Sequence, residues 1–334
     1  MDCKRSYKYR SLKLLLTVVS LLAFTASCTW VPDDDEECPY GFWLKLRYTY
    51  NILDVEAAPR FVNDATVYVY DKDGNYVTRI YASRSELSAN NYKVKIEGLA
   101  EGDYQFVVWS GAGNSQYSLS GDTKSVETLR LSVVGAGGTT NAQLPALFYG
   151  YLSTVHYSKA HAVHDVDLVK NTNQLNCLIV SVDRNTRLNP AKYSMSIEAD
   201  NGVLNAFNKL ATKDITVYDP YSGGAQEIDD PDYGKLNALA FNISTMRLLK
   251  DRVSRIVLKN KETGQVIFNV SFSEYMGMIG SFYTNLGRPL SEQEYLDRQD
   301  FYTIVFFLSG DLEQLLQLQV NSWRLRAYNH LKLD

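Results

Sequence analysis

Cysteine is scarce in this sequence, with four among 334 residues, and no two form a CxxC pair. That absence excludes the common zinc-binding and thioredoxin-like motifs. No apolar run reaches the roughly 20 residues that a membrane-spanning helix needs. Lys and Arg form no cluster beyond the N-terminal segment, and the net charge is −4, so a nucleic acid partner is not expected.

Proline is also rare, with 8 residues, whereas tyrosine is frequent, with 24. Proline removes a donor from a β-ladder, and tyrosine is enriched in strands. The composition therefore favours an ordered, strand-rich protein over a disordered one. The length is sufficient for two domains, each with its own hydrophobic core.

The first 27 residues resemble a secretory signal. Basic residues precede a short apolar segment, residues 14–24, and small residues follow it. The exit, Thr25-Ala26-Ser27-Cys28, resembles a bacterial lipoprotein box, although Thr25 stands where the common box has leucine. Such a box is cleaved before its cysteine, which then carries acyl chains. We predict a lipoprotein signal peptide over residues 1–27 and lipidation of Cys28. The alternative is a secreted protein with Cys28 in a disulfide.

Residues 28–41 are predicted to form an acidic tether. Five consecutive acids, residues 33–37, cannot pack into a core and remain solvated. The run resembles the acidic signal that directs some lipoproteins to the outer face of the outer membrane. Cys177 lies in the apolar segment LNCLIVSV and is predicted to be a buried hydrophobic residue. A disulfide between Cys38 and Cys177 is the open alternative.

Period-2 alternation indicates strands from residue 42 onwards. In residues 42–50, Phe42, Leu44 and Leu46 share one face with two tyrosines. Residues 66–81 read as a hairpin around Asp71-Lys72-Asp73-Gly74-Asn75. Two further strands are expected on either side of residues 98–103. Residues 255–272 predict another hairpin, with Val266, Phe268, Val270 and Phe272 on its buried face.

The pattern predicts an all-β protein with two tandem β-sandwiches and few short helices. We place the N-terminal sandwich at residues 42–151 and the C-terminal sandwich at residues 152–334. One helix is expected in LSEQEYLDRQ, with a capping box of Ser291 and Glu294. In the last strand, Leu316, Leu318 and Val320 alternate, and a bulge at Asn321–Ser322 is needed to restore the phase. Trp109 and Trp323 are predicted to lie in or beside the cores.

No catalytic constellation is recognisable. Nucleophile elbow, phosphate loop and HExxH motifs are missing from the sequence, so no enzymatic activity and no cofactor is expected. His156, His161 and His164 cluster, but His161 and His164 would face opposite sides of an extended chain, which disfavours a metal site. The segment Asp71-x-Asp73-Gly74 resembles part of a calcium loop, but it lacks the closing Glu, so a turn is preferred.

The order of these features resembles the fimbrillin-associated fimbrial anchor family, lipoprotein anchor or accessory subunits of type V pili. The matching segments are the lipobox-like exit with its acidic tether, VYVYDKDGNYVTRI, EGLAEGDYQFVVWSG, LFYGYLSTV and QVNSWRLRAYN. Ser322 stands where the terminal motif of the family usually has glycine. The resemblance implies two transthyretin-like Greek-key sandwiches, an acyl anchor in the outer membrane and fimbrial subunits as partners. It brings no catalytic residues.

The implied role requires pairing of strands between proteins. The candidate elements are residues 42–50, with Phe42, Leu44 and Leu46, and residues 315–326, with Leu316, Leu318 and Val320. The alternative is that both segments only complete their own sandwiches. Two other functions stay open: a polymerising or tip subunit cleaved after Arg47 or Arg60, and a surface glycan-binding lipoprotein.

Overall fold

Alternating apolar residues produce strands along most of the chain. In this computed structural model the described residues are 41–120, 124–280, 283, 287–321 and 323–326. The predicted signal peptide, most of the acidic tether and Cys28 lie outside them.

The strands and helices have the following bounds. The first half contains β1 (Phe42–Arg47), β2 (Asp64–Asp71), β3 (Tyr76–Ser83), β4 (Lys93–Ile96), β5 (Gly102–Ser110), β6 (Tyr117–Ser120), β7 (Arg130–Val133), β8 (Thr139–Thr140), β9 (Phe148–Tyr157), β10 (Ala162–Asp167) and β11 (Val169–Lys170). The second half contains β12 (Thr172–Ser181), β13 (Tyr193–Ala199), β14 (Val203–Asn205), β15 (Thr216–Tyr218), β16 (Ser222–Asp230), β17 (Gly234–Met246), β18 (Ser254–Asn260), β19 (Val266–Ser271), β20 (Phe301–Leu308), β21 (Leu315–Val320) and β22 (Trp323–Arg326). The helices are α1 (Ala58–Phe61), α2 (Arg84–Ala89), α3 (Phe272–Gly280) and α4 (Glu292–Arg298), with a 3₁₀ turn at Pro190–Lys192.

Two sheets form the first β-sandwich. Among the described strands, sheet A has the order β10-β1-β4 and sheet B has the order β11-β9-β5-β2-β3. Phe42, Leu44 and Leu46 of β1 lie in one buried cluster with Val67 and Phe106 of sheet B. Because alternate residues of a strand share a face, this cluster accounts for the alternation in the sequence.

Two larger sheets form the second β-sandwich. Sheet C has the order β16-β17-β12-β20-β21-β22 and sheet D the order β19-β18-β13-β15-β8, counting described strands only. Phe268 of sheet D stacks on Phe306 of sheet C, with ring centroids 4.5 Å apart. The predicted all-β class with two sandwiches is confirmed.

The two sandwiches share buried side chains. The face of sheet B that turns away from sheet A contributes Tyr68, Trp109 and Tyr149 to the same cluster as Phe268 and Phe306. A small sheet E, with described order β14-β7-β6, joins strands from both halves. Trp109 is 1% exposed, which confirms its predicted place in a core. The side chain of Trp323 lies outside the described residues.

Strand pairing does not divide at residue 151. That position lies inside β9, which pairs with β5, and β10 then pairs in parallel with β1. Conversely, β8 from the first half pairs with β15 of sheet D. A division after Lys170 follows the pairing better, and the domain division itself stays a proposal.

The predicted hairpins are partly correct. β2 pairs with β3, and β18 pairs with β19, as the sequence indicates. The segment before β5 is different, because β4 pairs with β1 in sheet A whereas β5 lies in sheet B. Residues 97–101 therefore cross between two sheets instead of closing a hairpin. Val266 is 47% exposed because the β18–β19 register shifts beside Lys259, so its predicted burial is wrong.

Of the described helices only α4 was predicted, and α2 was missed although Ser83 and Glu86 form a complete capping box before it. α4 begins after Ser291, whose hydroxyl accepts from the N–H of Glu294, as predicted. The other half of the capping box is not formed, because the Glu294 carboxylate binds arginines instead. α3 was not predicted, since its first residue, Phe272, continues the alternation of β19.

Candidate functional site

The first predicted pairing segment lies in the interior of sheet A. β1 pairs in parallel with β10 and antiparallel with β4, so both of its edges are occupied. Phe42, Leu44 and Leu46 are each at most 2% exposed. The Phe42 ring lies 4.8 Å from the His164 ring and 5.2 Å from the Tyr157 ring. In this chain β1 completes its own sandwich.

The two arginines considered as cleavage sites differ in accessibility. Arg47 ends β1, and its guanidinium lies 2.7 Å from the Glu56 carboxylate and 3.2 Å from that of Asp165. Arg60 is exposed in the short helix α1. Exposed, weakly structured backbone is the preferred protease substrate, so Arg60 is the better candidate of the two.

The second predicted pairing segment is a hairpin instead of one long strand. β21 and β22 are antiparallel, and Val320 lies opposite Trp323. The bulge predicted at Asn321–Ser322 is therefore wrong, because the chain reverses direction between these two strands. Asn321 has a φ of 50°, a left-handed conformation that asparagine tolerates better than most residues.

The apolar phase of β21 is also interrupted. Leu318 and Val320 are buried, but Leu316 is 41% exposed. The β20–β21 ladder shifts register where Leu308 pairs with Leu315 and Phe307 pairs with Gln317. The irregularity leaves Leu316 unpaired and outward, so the predicted alternation fails at this residue.

The C-terminal hairpin lies at the rim of sheet C. β21 is placed between β20 and β22, and β22 is the outermost described strand on that side. An outermost strand offers unpaired main-chain N–H and C=O groups to another chain. Of the two predicted segments, the hairpin is the one with such an edge.

A cleft of about 470 Å³ opens between sheets C and D. Its lining includes Tyr193 and Met195 of β13, Asp219, Gly223 of β16 and Phe241 of β17. Desolvation raises the pKa of the Asp219 carboxyl above its ordinary value. This cleft was not predicted from the sequence, and the available signal was Pro220, two residues after the three-residue strand β15, since proline cannot continue a ladder.

His156, His164 and the Asp71 turn are engaged in structural contacts, whereas His161 is exposed. The His156 Nδ1 lies 2.8 Å from Asp103, and His164 stacks on Phe42. The Asp71 carboxylate accepts from the N–H groups of Asp73 and Asn75, at 2.9 and 2.8 Å, as a hairpin turn requires. Among the described residues no group of three or more metal-ligating side chains is assembled.

An ionic network, not found from the sequence, connects α4 with the first half. The Arg298 guanidinium donates to the Asn51 carbonyl at 3.0 Å and lies 4.4 Å from the centroid of the Tyr50 ring. Glu294 accepts from Arg288 at 2.6 and 2.8 Å and from Arg298 at 2.8 Å. Hydrogen bonds from these arginines, of which that of Arg288 has the largest effect, lower the pKa of Glu294 to about 2.

Cys177 carries a free thiol and is fully buried. Its place in β12 confirms the predicted buried hydrophobic residue. Burial raises the pKa of the thiol to about 12, which keeps it protonated and unreactive.

In the described part of the chain, every helix is too short or too polar to cross a membrane. The outer strand edges of the sheets are the candidate interaction features that the described residues present.

A sequence profile of the Fimbrillin-A associated anchor proteins Mfa1 and Mfa2 matches residues 34–329. The chain belongs to this family. The family resemblance inferred from the sequence is confirmed, and the anchor family supports a fimbrial accessory role at the cell surface. No match to a curated protein sequence was found.

Crystal structures of related proteins share the fold. A protein of Bacteroides thetaiotaomicron named as a candidate polysaccharide-binding protein is 29% identical, with a TM-score of 0.73 over 86% of this chain and 98% of that chain. A candidate adhesin of the same species is 25% identical, with a TM-score of 0.76 over 87% and 99%. The fimbrial anchor protein Mfa2 of Porphyromonas gingivalis, 17% identical with a TM-score of 0.64 over 86% and 99%, supports the fold alone.

Proposed function

We propose that the protein is an outer-membrane lipoprotein that joins a fimbria to the cell surface. The observation that carries the proposal is the anchor-family match, which begins at residue 34, shortly after the lipobox-like Cys28. A structural role of this kind needs strand edges and a tether, and it needs no cofactor or catalytic group.

The membrane attachment is proposed to pass through Cys28. Cleavage before this cysteine leaves an N-terminal residue able to carry several acyl chains, and more than one chain is needed for stable anchoring. The acidic residues 33–37 then act as a solvated spacer between the lipid and the first sandwich.

The partner is proposed to be a fimbrial subunit, bound by strand pairing. The C-terminal hairpin is the favoured element because β21 and β22 together have to leave only β20 to act as a donor, whereas β1 is paired on both sides, with β4 and with β10. If β21 acts as a donor strand, Leu318 and Val320 are the side chains that enter the groove of the partner. Phe42, Leu44 and Leu46 take that role only if β1 is displaced.

Two variants test the anchor and the pairing separately. Cys28→Ala is expected to give a soluble or uncleaved chain, and intact-mass analysis of the wild type should show an acylated N-terminal Cys28. A mature wild-type chain that begins after Arg60 would instead support a polymerising subunit. A Cys28→Ala variant that still fractionates with the outer membrane as a mature form contradicts the anchor.

The test of strand pairing fixes the C-terminal hairpin to β20 with an engineered disulfide. Val305→Cys with Gln319→Cys joins opposite residues of β20 and β21, at a spacing that antiparallel neighbours share with disulfides. If β21 is the donated strand, the oxidised variant should fold yet lose fimbrial attachment, and reduction should restore it. The control is the same staple at Thr66 and Tyr81, which are opposite in β2 and β3. Firm attachment in the oxidised variant contradicts exchange of β21 and leaves the lipid anchor unaffected.

A further inference from the structure

Strand β13 is paired along only part of one edge. On one side it pairs with β18 over its whole length, from Tyr193 to Ala199. On the other side β15 covers only Ile197–Ala199. Among the described strands, none pairs with Tyr193–Ser196 on that side, where the cleft opens.

The main-chain groups of Tyr193 and Met195 are the ones directed into the cleft. The Lys261 N–H donates to the Lys192 carbonyl at 2.7 Å, so Lys192 and the even-numbered residues after it face β18. Both main-chain groups of a residue in an antiparallel ladder point to the same side, and the side alternates along the strand. Tyr193 and Met195 therefore present their N–H and C=O groups to the unpaired edge.

The sequence explains why the ladder stops. Continuing the β13–β15 register would place Pro220 opposite Met195, and proline has no N–H to donate. The chain instead crosses to sheet C, where the Tyr221 N–H donates to the Asn242 carbonyl at 2.9 Å. Sheet D therefore has no described strand paired with Tyr193–Ser196 on this side of β13.

The space beside this edge has a defined shape and charge. Leu239 and Phe241 of β17 form an apolar wall, and Gly223 of β16, which pairs with Phe241 in the same sheet, adds no side chain to it. A Cβ on Gly223 would meet the Ala240 carbonyl oxygen at 2.2 Å, so the packing requires glycine at this position. The half-buried Asp219 carboxylate in the lining makes no ion pair with any described residue, while Lys261 is exposed and also lines the cleft.

We propose that this cleft accepts an extended peptide segment from a partner protein, which adds a short strand beside Tyr193–Ser196 and places a basic side chain on Asp219. Main-chain hydrogen bonds supply affinity in strand addition, and side-chain pockets supply selectivity. That the partner is a fimbrial subunit rests on the proposed function. The site itself is separate from the C-terminal hairpin.

The test uses a defined peptide and its charge-reversed match. The probe is acetyl-Thr-Val-Thr-Val-Lys-Val-Thr-amide, and its match has Glu in place of Lys. The purified protein should bind the Lys peptide at least about tenfold more tightly than the Glu peptide. Asp219→Lys should reverse this preference, and Asp219→Asn should abolish it if the lysine variant does not fold. Asp214→Lys, an exposed aspartate on the approach to β15, is the charge-matched control and should change nothing.

A second measurement asks whether the peptide binds as a strand. Methylation of alternate backbone nitrogens should weaken binding about tenfold for one set of residues and leave it unchanged for the other, since only one set faces β13. Hydrogen exchange at Tyr193 and Met195 should slow when the Lys peptide binds. Equal effects of both methylated sets, or no binding at millimolar peptide, overturn the proposal.

Glycan binding is the competing outcome. If cellohexaose or maltohexaose slows exchange at these residues and the peptides do not, the cleft is a sugar site and the proposal fails. The peptide measurements depend on the cleft alone, whereas the fimbrial role is tested by attachment in cells. Peptide binding without any attachment defect in Asp219→Lys cells would keep the cleft as a strand acceptor and remove the fimbrial subunit as its partner.

Discussion

At the scale of single residues, two fully buried tyrosines differ in how their hydroxyl groups are satisfied. The Tyr218 hydroxyl donates to the Asn201 side-chain oxygen at 2.7 Å. The Tyr302 hydroxyl has no hydrogen-bond partner among the described residues, and the ring packs against Phe272 and Tyr295. A buried polar group without a partner costs free energy that a paired one does not.

The two positions give a matched prediction. Tyr302→Phe should leave the free energy of unfolding unchanged or raise it by up to about 1 kcal/mol, because it removes an unpaired hydroxyl. Tyr218→Phe should lower it by about 1–2 kcal/mol, because Asn201 loses its donor. Urea titrations of both variants measure the difference, and a larger loss for Tyr302→Phe than for Tyr218→Phe would contradict the assignment.

At the scale of elements, helix α4 is held by charge as well as by packing. Arg288 and Arg298 both bind Glu294, and Arg298 extends to the loop after β1. The charged form of Glu294 is stabilised, so its pKa falls from the ordinary value of 4.5 to about 2. A depressed carboxyl pKa stabilises the fold above the unfolded-state value, and this contribution disappears as the pH falls towards 2.

The pH dependence of one variant tests this linkage. Glu294→Gln should destabilise the protein at pH 7 by about 1–2 kcal/mol, as expected for charge-assisted hydrogen bonds. The difference in stability between this variant and the wild type should decrease steadily as the pH falls below 4.5. Melting temperatures from pH 7 to pH 3 measure it, with the exposed Glu313→Gln as control. A deficit that is constant with pH would show that packing, and not charge, is what the substitution removes.

The elements also show how much the sequence could predict. Period-2 alternation located most strands and the buried faces of β1 and β12, because burial on one side leaves a local pattern. It could not assign β4 and β5 to different sheets, since pairing partners are distant in sequence. The cleft beside β13 could not be predicted for the same reason. It results from Pro220, but it becomes visible only when β13 and β15 are known to be neighbours.

At the scale of the whole molecule, the two sandwiches are joined by more than a linker. The Gln174 side-chain amide donates to the Leu144 carbonyl at 2.9 Å. The Tyr149 hydroxyl donates to the Ala206 carbonyl at 2.7 Å. Together with the shared buried cluster around Trp109, these contacts couple the halves in a way that tandem domains on a flexible linker are not coupled.

We therefore expect the described halves to unfold in one cooperative transition. Calorimetry should give a single peak whose van't Hoff and calorimetric enthalpies agree. Trp109→Ala should shift that peak as a whole, by the equivalent of about 3–5 kcal/mol. Two resolved peaks, of which only one moves in the variant, would show that the sandwiches are independent.

The parallel pairing of β1 with β10 has a consequence for biogenesis. Phe42 lies beside Ala162, so sheet A cannot form completely until about 120 further residues of the chain are available to pair with its first strand. In the second sandwich β12 likewise pairs with β20, a strand much later in the chain. Long-range pairing of this kind is slow, and it leaves apolar strands exposed while the chain is incomplete. In the export proposed above, this delay would keep the N-terminal strands from forming a stable obstruction before the chain has crossed the membrane.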